Sequence, residues 1–421
     1  MSLSLARARA RGAPAASAAH APVSFLVFDA FGRGGVARTV LNLANQLADH
    51  RDVRIVSLFR GAEHPVFDID TRVALHVLVD RRAGRTRRWQ RMARRMPSRM
   101  RPVPAERRLS LLTDLVLRHR LSRVGGIVVA TRPALVLAAA LWCPPRTRLV
   151  GQDHKNFPTR FANRRQSAVL RRVVPALDAY VVLTHADADD YRDEFAAHPG
   201  TRIEVIRNAL PWPVAITPAP LCSTVVVTAG RLAREKGFDR MIDAFARVAP
   251  DHPEWELHIH GEGPERPALT KQIRSLGLDG RIRLCGYTAD LRGVLSEASV
   301  FAMASRAEGF PMVLIEAMSV GLPVVAFDCP RGPAEIVEDG TTGVLVADGD
   351  ITGFADGLRR LIGDAELRRR CGRNALGEAH RYTADTVLHE WLSLFADLDR
   401  SPARSSHRHG TGTSRRVHPG R

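Results

Sequence analysis

The run TVVVTAGRLAREKGFDRMIDAFARV, residues 224–248, decides the fold. Five β-branched residues lead into Ala229-Gly230. A loop carrying Arg231 and Lys236 follows, and then Gly237 opens a stretch with Phe238, Met241, Ile242, Phe245 and Val248 at helical spacing. A strand, a loop and an amphipathic helix in that order form the repeating unit of a parallel sheet. The unit recurs downstream. WELHIHG (255–261), RIRLCG (281–286), SVFAMAS (299–305), PVVAFD (323–328) and TGVLVA (342–347) each precede a helix-like segment.

Upstream the pattern is similar but looser. SFLVF (24–28) is followed by a glycine loop and an amphipathic stretch through Leu47, then by VRIVSLF, ALHVLV, GGIVVA, RLVGQ, AYVVLT and IEVIR. The proline-rich PWPVAITPAP, residues 211–220, separates the two series and reads as a linker. The fold expected is therefore α/β, with two Rossmann-like parallel-sheet domains over 23–210 and 221–385 facing each other across a cleft. A chain of 421 residues with 45% apolar content can build two such cores.

Composition narrows the setting. No run of about 18 or more uncharged apolar residues occurs, which argues against a transmembrane helix. The Ala/Arg-rich start, residues 1–22, lacks an apolar block and reads as a disordered tail, as does the basic stretch 401–421. Five cysteines without a C-x-x-C pair suggest free, mostly buried thiols in a reducing cytosol. The net charge of +18 implies an anionic partner without saying which.

The residues with chemical potential lie in loops at strand ends, where α/β proteins bind ligands. Arg231 and Lys236 offer fixed cations. Glu308 and Glu316 bracket Gly309-Phe310-Pro311 ahead of a helix, and Pro311 suits a first turn. The N–H groups from Gly309 to Val313 are then expected to be free to face a ligand. Asp153 and His154 follow a first-domain strand. His258 and His260 share a strand face without a third ligand at metal spacing, so no metal is expected. Three Asp-x-Asp matches show how little that short pattern means.

Taken together, AGRLAREKGFD, HGEGPE and SRAEGFPMVLIEAMSVGLPVV resemble the retaining nucleotide-sugar glycosyltransferases of the GT-B fold, family 4 or group 1, the cell-envelope type. The resemblance implies that the helix over 386–400 crosses back onto the first domain, which takes the acceptor side. It places Gly230, Arg231, Lys236 and Tyr287 at the donor, with Gly34 and Gly35 facing its phosphates. Glu308, Gly309, Phe310, Pro311, Met312 and Val313 meet the transferred sugar and its phosphate, and Glu316 meets the ribose. Arg231, Lys236, Glu308, Asp153 and His154 are its catalytic candidates. It implies a metal-independent enzyme without cofactor that takes a hexose from a nucleoside-diphosphate sugar and passes it to a glycan or lipid-linked acceptor.

Two alternatives stay open. FGRGGVART also matches G-x-G-x-x-A through Gly32, Gly34 and Ala37, so the loop suits an NADP-dependent oxidoreductase, with Arg60 at the end of the second strand. Residues 81–108, RRAGRTRRWQRMARRMPSRMRPVPAERR, hold one acid, Glu106, and place Trp89, Met92 and Met96 at near-helical spacing. This suits a helix on an anionic membrane surface, which would put a cytoplasmic protein at the inner face of the membrane. Arginine-rich runs are also solvated loops or nucleic-acid patches, although nothing else in the chain suggests a nucleic-acid module.

Overall fold

The computed structural model describes residues 20–82, 88–102, 106 and 108–401. Most of the two tails, and residues 83–87, 103–105 and 107 of the basic segment, lie outside the described residues. Every apolar run singled out above is a strand. The first sheet holds β1 (Val23–Asp29), β2 (Val53–Arg60), β3 (Ala74–Asp80), β4 (Ile127–Ala130), β5 (Arg148–Gln152), β6 (Ala179–Val182) and β7 (Ile203–Val205). The second holds β8 (Val225–Ala229), β9 (Glu256–His260), β10 (Ile282–Gly286), β11 (Val300–Met303), β12 (Val324–Asp328) and β13 (Gly343–Ala347). All pairs are parallel, ordered β3-β2-β1-β4-β5-β6-β7 and β10-β9-β8-β11-β12-β13.

Both sheets are covered on both faces, and the pleat decides what goes where. In β1, Leu26 and Phe28 join a core with Leu117, Leu121 and the helix Pro133–Trp142, whereas Val23, Phe25 and Val27 face Val40, Leu41, Leu43 and Ala44 of the helix Gly35–Leu47. In β8, Val226 and Val227 part in the same way. Two-sided burial is why these strands read as continuous apolar runs rather than alternating ones.

The second face of the first sheet is completed from the far end of the chain. The helix Ala384–Arg400 inserts Val387, Trp391, Leu394, Phe395 and Leu398 into the core formed by β1, β2 and the helix Gly35–Leu47. Burying each such side chain is worth about 1.5–3 kcal/mol. Arg51 Nη1 meets Asp399 Oδ2 at 2.9 Å, and Arg202 Nη2 meets Asp397 Oδ2 at 2.9 Å. The stretch between the sheets is tied to the second domain. Ala215 and Ala219 N–H groups donate to the Ser319 and Val320 carbonyls at 2.8 Å, and Trp212 Nε1 donates to Ser319 Oγ at 2.9 Å.

A helix over Arg88–Arg95 lies within the basic segment, and Trp89, Met92 and Met96 are 50%, 69% and 40% exposed. Among the described residues no helix is long and apolar enough to cross a membrane. The expectation of mostly buried thiols needs correction. Cys329 and Cys371 are buried and Cys143 is intermediate, but Cys222 and Cys285 are exposed. Cys285 stands on β10, the edge strand of its sheet, where the flanking residues have only one neighbouring strand to cover them.

Candidate active site

In the second sheet the chain leaves β8 toward β9 on one side and β11 toward β12 on the other, so the carboxyl ends of β8 and β11 flank the topological switch point. The loops after both strands touch there. Gly237, at φ +64°, leads the β8 loop so close to the Ala304 carbonyl that a Cβ would overlap it. Arg306 of the β11 loop reaches back to Asp239, Nη1 donating to Oδ1 at 2.7 Å. Lys236 is thereby set opposite Glu308. Its Nζ donates to Oε1 and Oε2 at 2.7 and 2.9 Å, and Ser305 Oγ donates to Oε1 at 2.6 Å. Glu308 is 9% exposed, so this is a shielded pair. Arg231, by contrast, stands two-thirds exposed and pairs with Glu235 four residues on. Gly230 lies beneath Lys236, leaving a Cβ position 3.8 Å from that side chain.

Pro311 introduces a short helix, Met312–Met318. The expected row of free N–H groups is interrupted. Met312 N–H donates to the Phe310 carbonyl at 2.9 Å, because the chain tightens into a turn before the helix begins. Phe310 is buried against Tyr382, with ring centroids 5.9 Å apart, while Val313 and the Met312 side chain pack against the same cluster. Glu316 is fully buried. Burial pushes its pKa up, and the guanidinium of Arg38, to which Oε1 is bound, opposes that shift. Its Oε2 has no partner among the described residues.

Arg38 belongs to the first domain. Gly34 caps the helix Gly35–Leu47 with no side-chain hydrogen bond and no acid in the first turn, and the space where a Cβ of Gly34 or Gly35 would stand is empty to 4 Å. The start of this helix thus presents uncovered N–H groups and partial positive charge to the cleft. Arg33 lies over the ring of Tyr287 at 5.4 Å, and Tyr287 is otherwise exposed after β10.

Asp153 and His154, at the end of β5, differ sharply in what they can do. The Asp153 carboxylate is buried and accepts from Arg160 Nε and Nη2, Lys155 N–H, Tyr180 Oη and Tyr191 Oη at 2.6–3.0 Å. Burial opposes its charge, yet Arg160 and these donors outweigh that and hold its pKa below the usual carboxylate range. A carboxylate with every lone pair engaged anchors the strand end and has none to spare for substrate. His154 beside it is pushed down to about 4 by burial, so its ring is neutral near pH 7, and its shielded Nε2 has no partner among the described residues. The His154 carbonyl meets the second domain, where a Cβ on Gly309 would lie only 2.5 Å away.

Further groups that the sequence did not disclose tie the two halves together. Asn156 Nδ2 donates to the carbonyls of Glu308 and, at 3.2 Å, Pro330. Glu335 accepts from the His185 and Ala186 N–H groups at 2.9 and 3.0 Å, and Arg331 pairs with Asp190. Asn156 had a local signal, standing two residues past His154. Arg38, Glu335 and Arg331 had none. The absence of a third ligand for His258 and His260 is also corrected, since Cys285 comes within 4.8 Å of both.

Residues 216–377 match the family described as glycosyl transferases group 1, and residues 33–211 match glycosyltransferase family 4. An exopolysaccharide phosphotransferase of Streptomyces coelicolor is 33% identical over 389 residues, covering 89% of this chain but 41% of that protein. The chain therefore spans about two-fifths of that relative's length. An amylovoran biosynthesis glycosyltransferase of Erwinia amylovora is 26% identical, with 86% and 95% covered. Among solved structures, Staphylococcus aureus TarM bound to fondaparinux, alpha-GlcNAc-glycerol and UDP superposes with a TM-score of 0.72 at 17% identity, covering 89% and 99%.

Proposed function

Because the chain belongs to the group 1 and family 4 glycosyltransferases, proteins of the GT-B fold, we propose that it moves a hexose-type sugar from a nucleoside diphosphate to a cell-envelope or lipid-linked glycan, with retention of anomeric configuration and without a catalytic metal. The observation that carries this reading is the Lys236–Glu308 pair at the switch point, in a second domain that meets the helix beginning at Gly35 through the Arg38–Glu316 pair. The oxidoreductase alternative is set aside by the family membership. Arg60, its candidate for a 2′-phosphate, is instead laid over Phe31 at 5.1 Å and donates to the Ala62 and Glu63 carbonyls.

Chemically, the hard step is departure of the diphosphate from an oxocarbenium-like carbon. Lys236 and Arg231 neutralise the charge that develops on the leaving oxygens, and the N–H groups at Gly34 and Gly35 add to it. Lys236 is already paired with Glu308, so it is held in place before the donor arrives, whereas Arg231 is exposed and free to turn from Glu235 to the donor. Glu316 Oε2, buried and unpartnered, suits a ribose hydroxyl. His154, neutral, can share a hydrogen bond with the transferred sugar. In this reading the departing phosphate takes the acceptor proton on the face that it vacates, so Asp153 holds the site in shape and plays no part in proton transfer.

The test is the reaction itself. Melting shifts across UDP, GDP, ADP and NADP identify the base, and the largest shift is expected from one of the diphosphates. NMR of the product should show the donor's anomeric configuration, and turnover at saturating donor should persist in EDTA. An inverted product, or loss of turnover in EDTA restored by Mn²⁺, would refute the mechanism. We also propose that the helix Arg88–Arg95 rests on anionic lipid at the inner face of the membrane. Support comes from its exposed Trp89 and Met92 among arginines. Each basic residue near such a surface contributes about 1 kcal/mol. Replacing Arg91, Arg94 and Arg95 with glutamine should abolish sedimentation with phosphatidylserine vesicles and leave nucleotide binding intact. Unchanged sedimentation would sink the idea.

A further inference from the structure

The open edge of the second sheet carries a cluster for which the sugar-transfer chemistry has no use. β9 sends Leu257 and Ile259 into the core, so Glu256, His258 and His260 share its other face. On the edge strand β10 the register slips. Leu284 pairs with Ile259 but Gly286 pairs with His260, which leaves Cys285 as the extra residue of a bulge. Bulges re-aim side chains. Here the Cys285 Sγ is brought within 4.8 Å of ligand nitrogens of both histidines.

Two imidazoles and a thiolate bound tetrahedrally to zinc, at bond lengths of about 2.0–2.3 Å, stand roughly 3.3–3.8 Å from one another. Small rotations of these partly exposed side chains close that gap. A second layer is already built. His258 Nε2 lies 2.8 Å from Glu256 Oε2, and Glu256 Oε1 accepts from Arg283 Nη2 at 2.9 Å. A carboxylate on one ring nitrogen keeps the proton there, turns the other nitrogen into a lone-pair donor and raises its basicity, as is usual behind metal-bound histidines.

We propose that His258, His260 and Cys285 form a binding site for a zinc-class divalent cation, with the fourth position open to water and Glu256 orienting His258. On binding, Cys285 gives up its thiol proton to solvent and ligates as thiolate. The site is built at the carboxyl ends of β9 and β10. Gly261 N–H donates to the Gly286 carbonyl at 2.7 Å, and Gly230 N–H donates to the His260 carbonyl at 2.9 Å. A bound cation therefore clamps the two strand ends that carry Tyr287 and abut the Gly230 loop, and its role is structural.

The full chain, stripped with chelator, is titrated with Zn²⁺ against a chromophoric chelator and with Co²⁺ by absorption. One equivalent should bind, with a thiolate-to-cobalt charge-transfer band. Cys285→Ser should abolish the band, and Cys285→Ser and His260→Ala should each weaken zinc binding on the order of tenfold or more. Zinc should raise the melting midpoint of the wild type but not of Cys285→Ser. Cys222→Ser, at the other exposed thiol, should change neither reading. Failure to take up one equivalent overturns the proposal. So does uptake that survives both Cys285→Ser and His260→Ala, as it would if His407 and His409 near the C-terminus held the metal.

Discussion

Replacing Lys236 with alanine should lower kcat a hundredfold or more while the melting midpoint stays within a few degrees. Its ammonium is the shielded cation of the β8 loop, 27% exposed and held by both oxygens of Glu308, so its position is fixed before substrate arrives. Removing one preorganised group that stabilises developing charge typically costs about 2.7–4 kcal/mol in the transition state. A merely structural lysine would show the reverse pattern, with a lower midpoint and near-normal turnover per folded molecule. Arg231→Ala is expected to act in the same direction. Near wild-type kcat in purified Lys236→Ala would remove the assignment.

Asp153→Asn is expected to act through stability. It strands the Arg160 guanidinium, which is almost wholly buried, and takes charge away from the oxygen to which Tyr180 and Tyr191 donate. Breaking one side of a buried pair costs about 3–5 kcal/mol, which for a domain of this size is a fall in midpoint of about 10 °C. The pH dependence has a definite sign. The native pKa of Asp153 lies below its unfolded value, so its contribution is fully present above the ordinary carboxylate pKa of about 3.9 and is lost as pH falls through the lower native value. The gap between wild type and Asp153→Asn should therefore be constant near neutrality and close only in acid. A variant with an unshifted midpoint and abolished turnover would make Asp153 a chemical participant after all.

The fold was legible because its signals are local. Runs such as VVVTA and VVAFD are apolar without alternation, which is how a strand buried on both faces must read, and each is followed by apolar residues at helical spacing. The donor loops were legible for a related reason, since strand ends at a switch point are set by topology. Pairing across the cleft was not legible. Arg38 and Glu316 are 278 residues apart, and nothing in either neighbourhood names the other. Asp153 stood among the catalytic candidates because Arg160, Tyr180 and Tyr191, which engage it, lie on other elements. The row of N–H groups after Gly309 failed at Met312, where one tight turn decided the outcome. Cys285 reaches the two histidines through a single-residue slip in strand register, which no periodicity reveals.

The helix Ala384–Arg400 gives the first sheet a debt in time. Its seven strands are complete once Val205 has been made, yet the core that β1, β2 and the helix Gly35–Leu47 share is completed only by Trp391, Phe395 and their neighbours. At synthesis rates of about 5–20 residues per second, the roughly two hundred residues in between take about 10–40 s to emerge. Through that interval the amino-terminal half is left with an uncovered apolar face on the ribosome. A fragment cut between the sheets would lack Trp391, Phe395 and their neighbours, so its core would stay incomplete even though it has a sheet of its own.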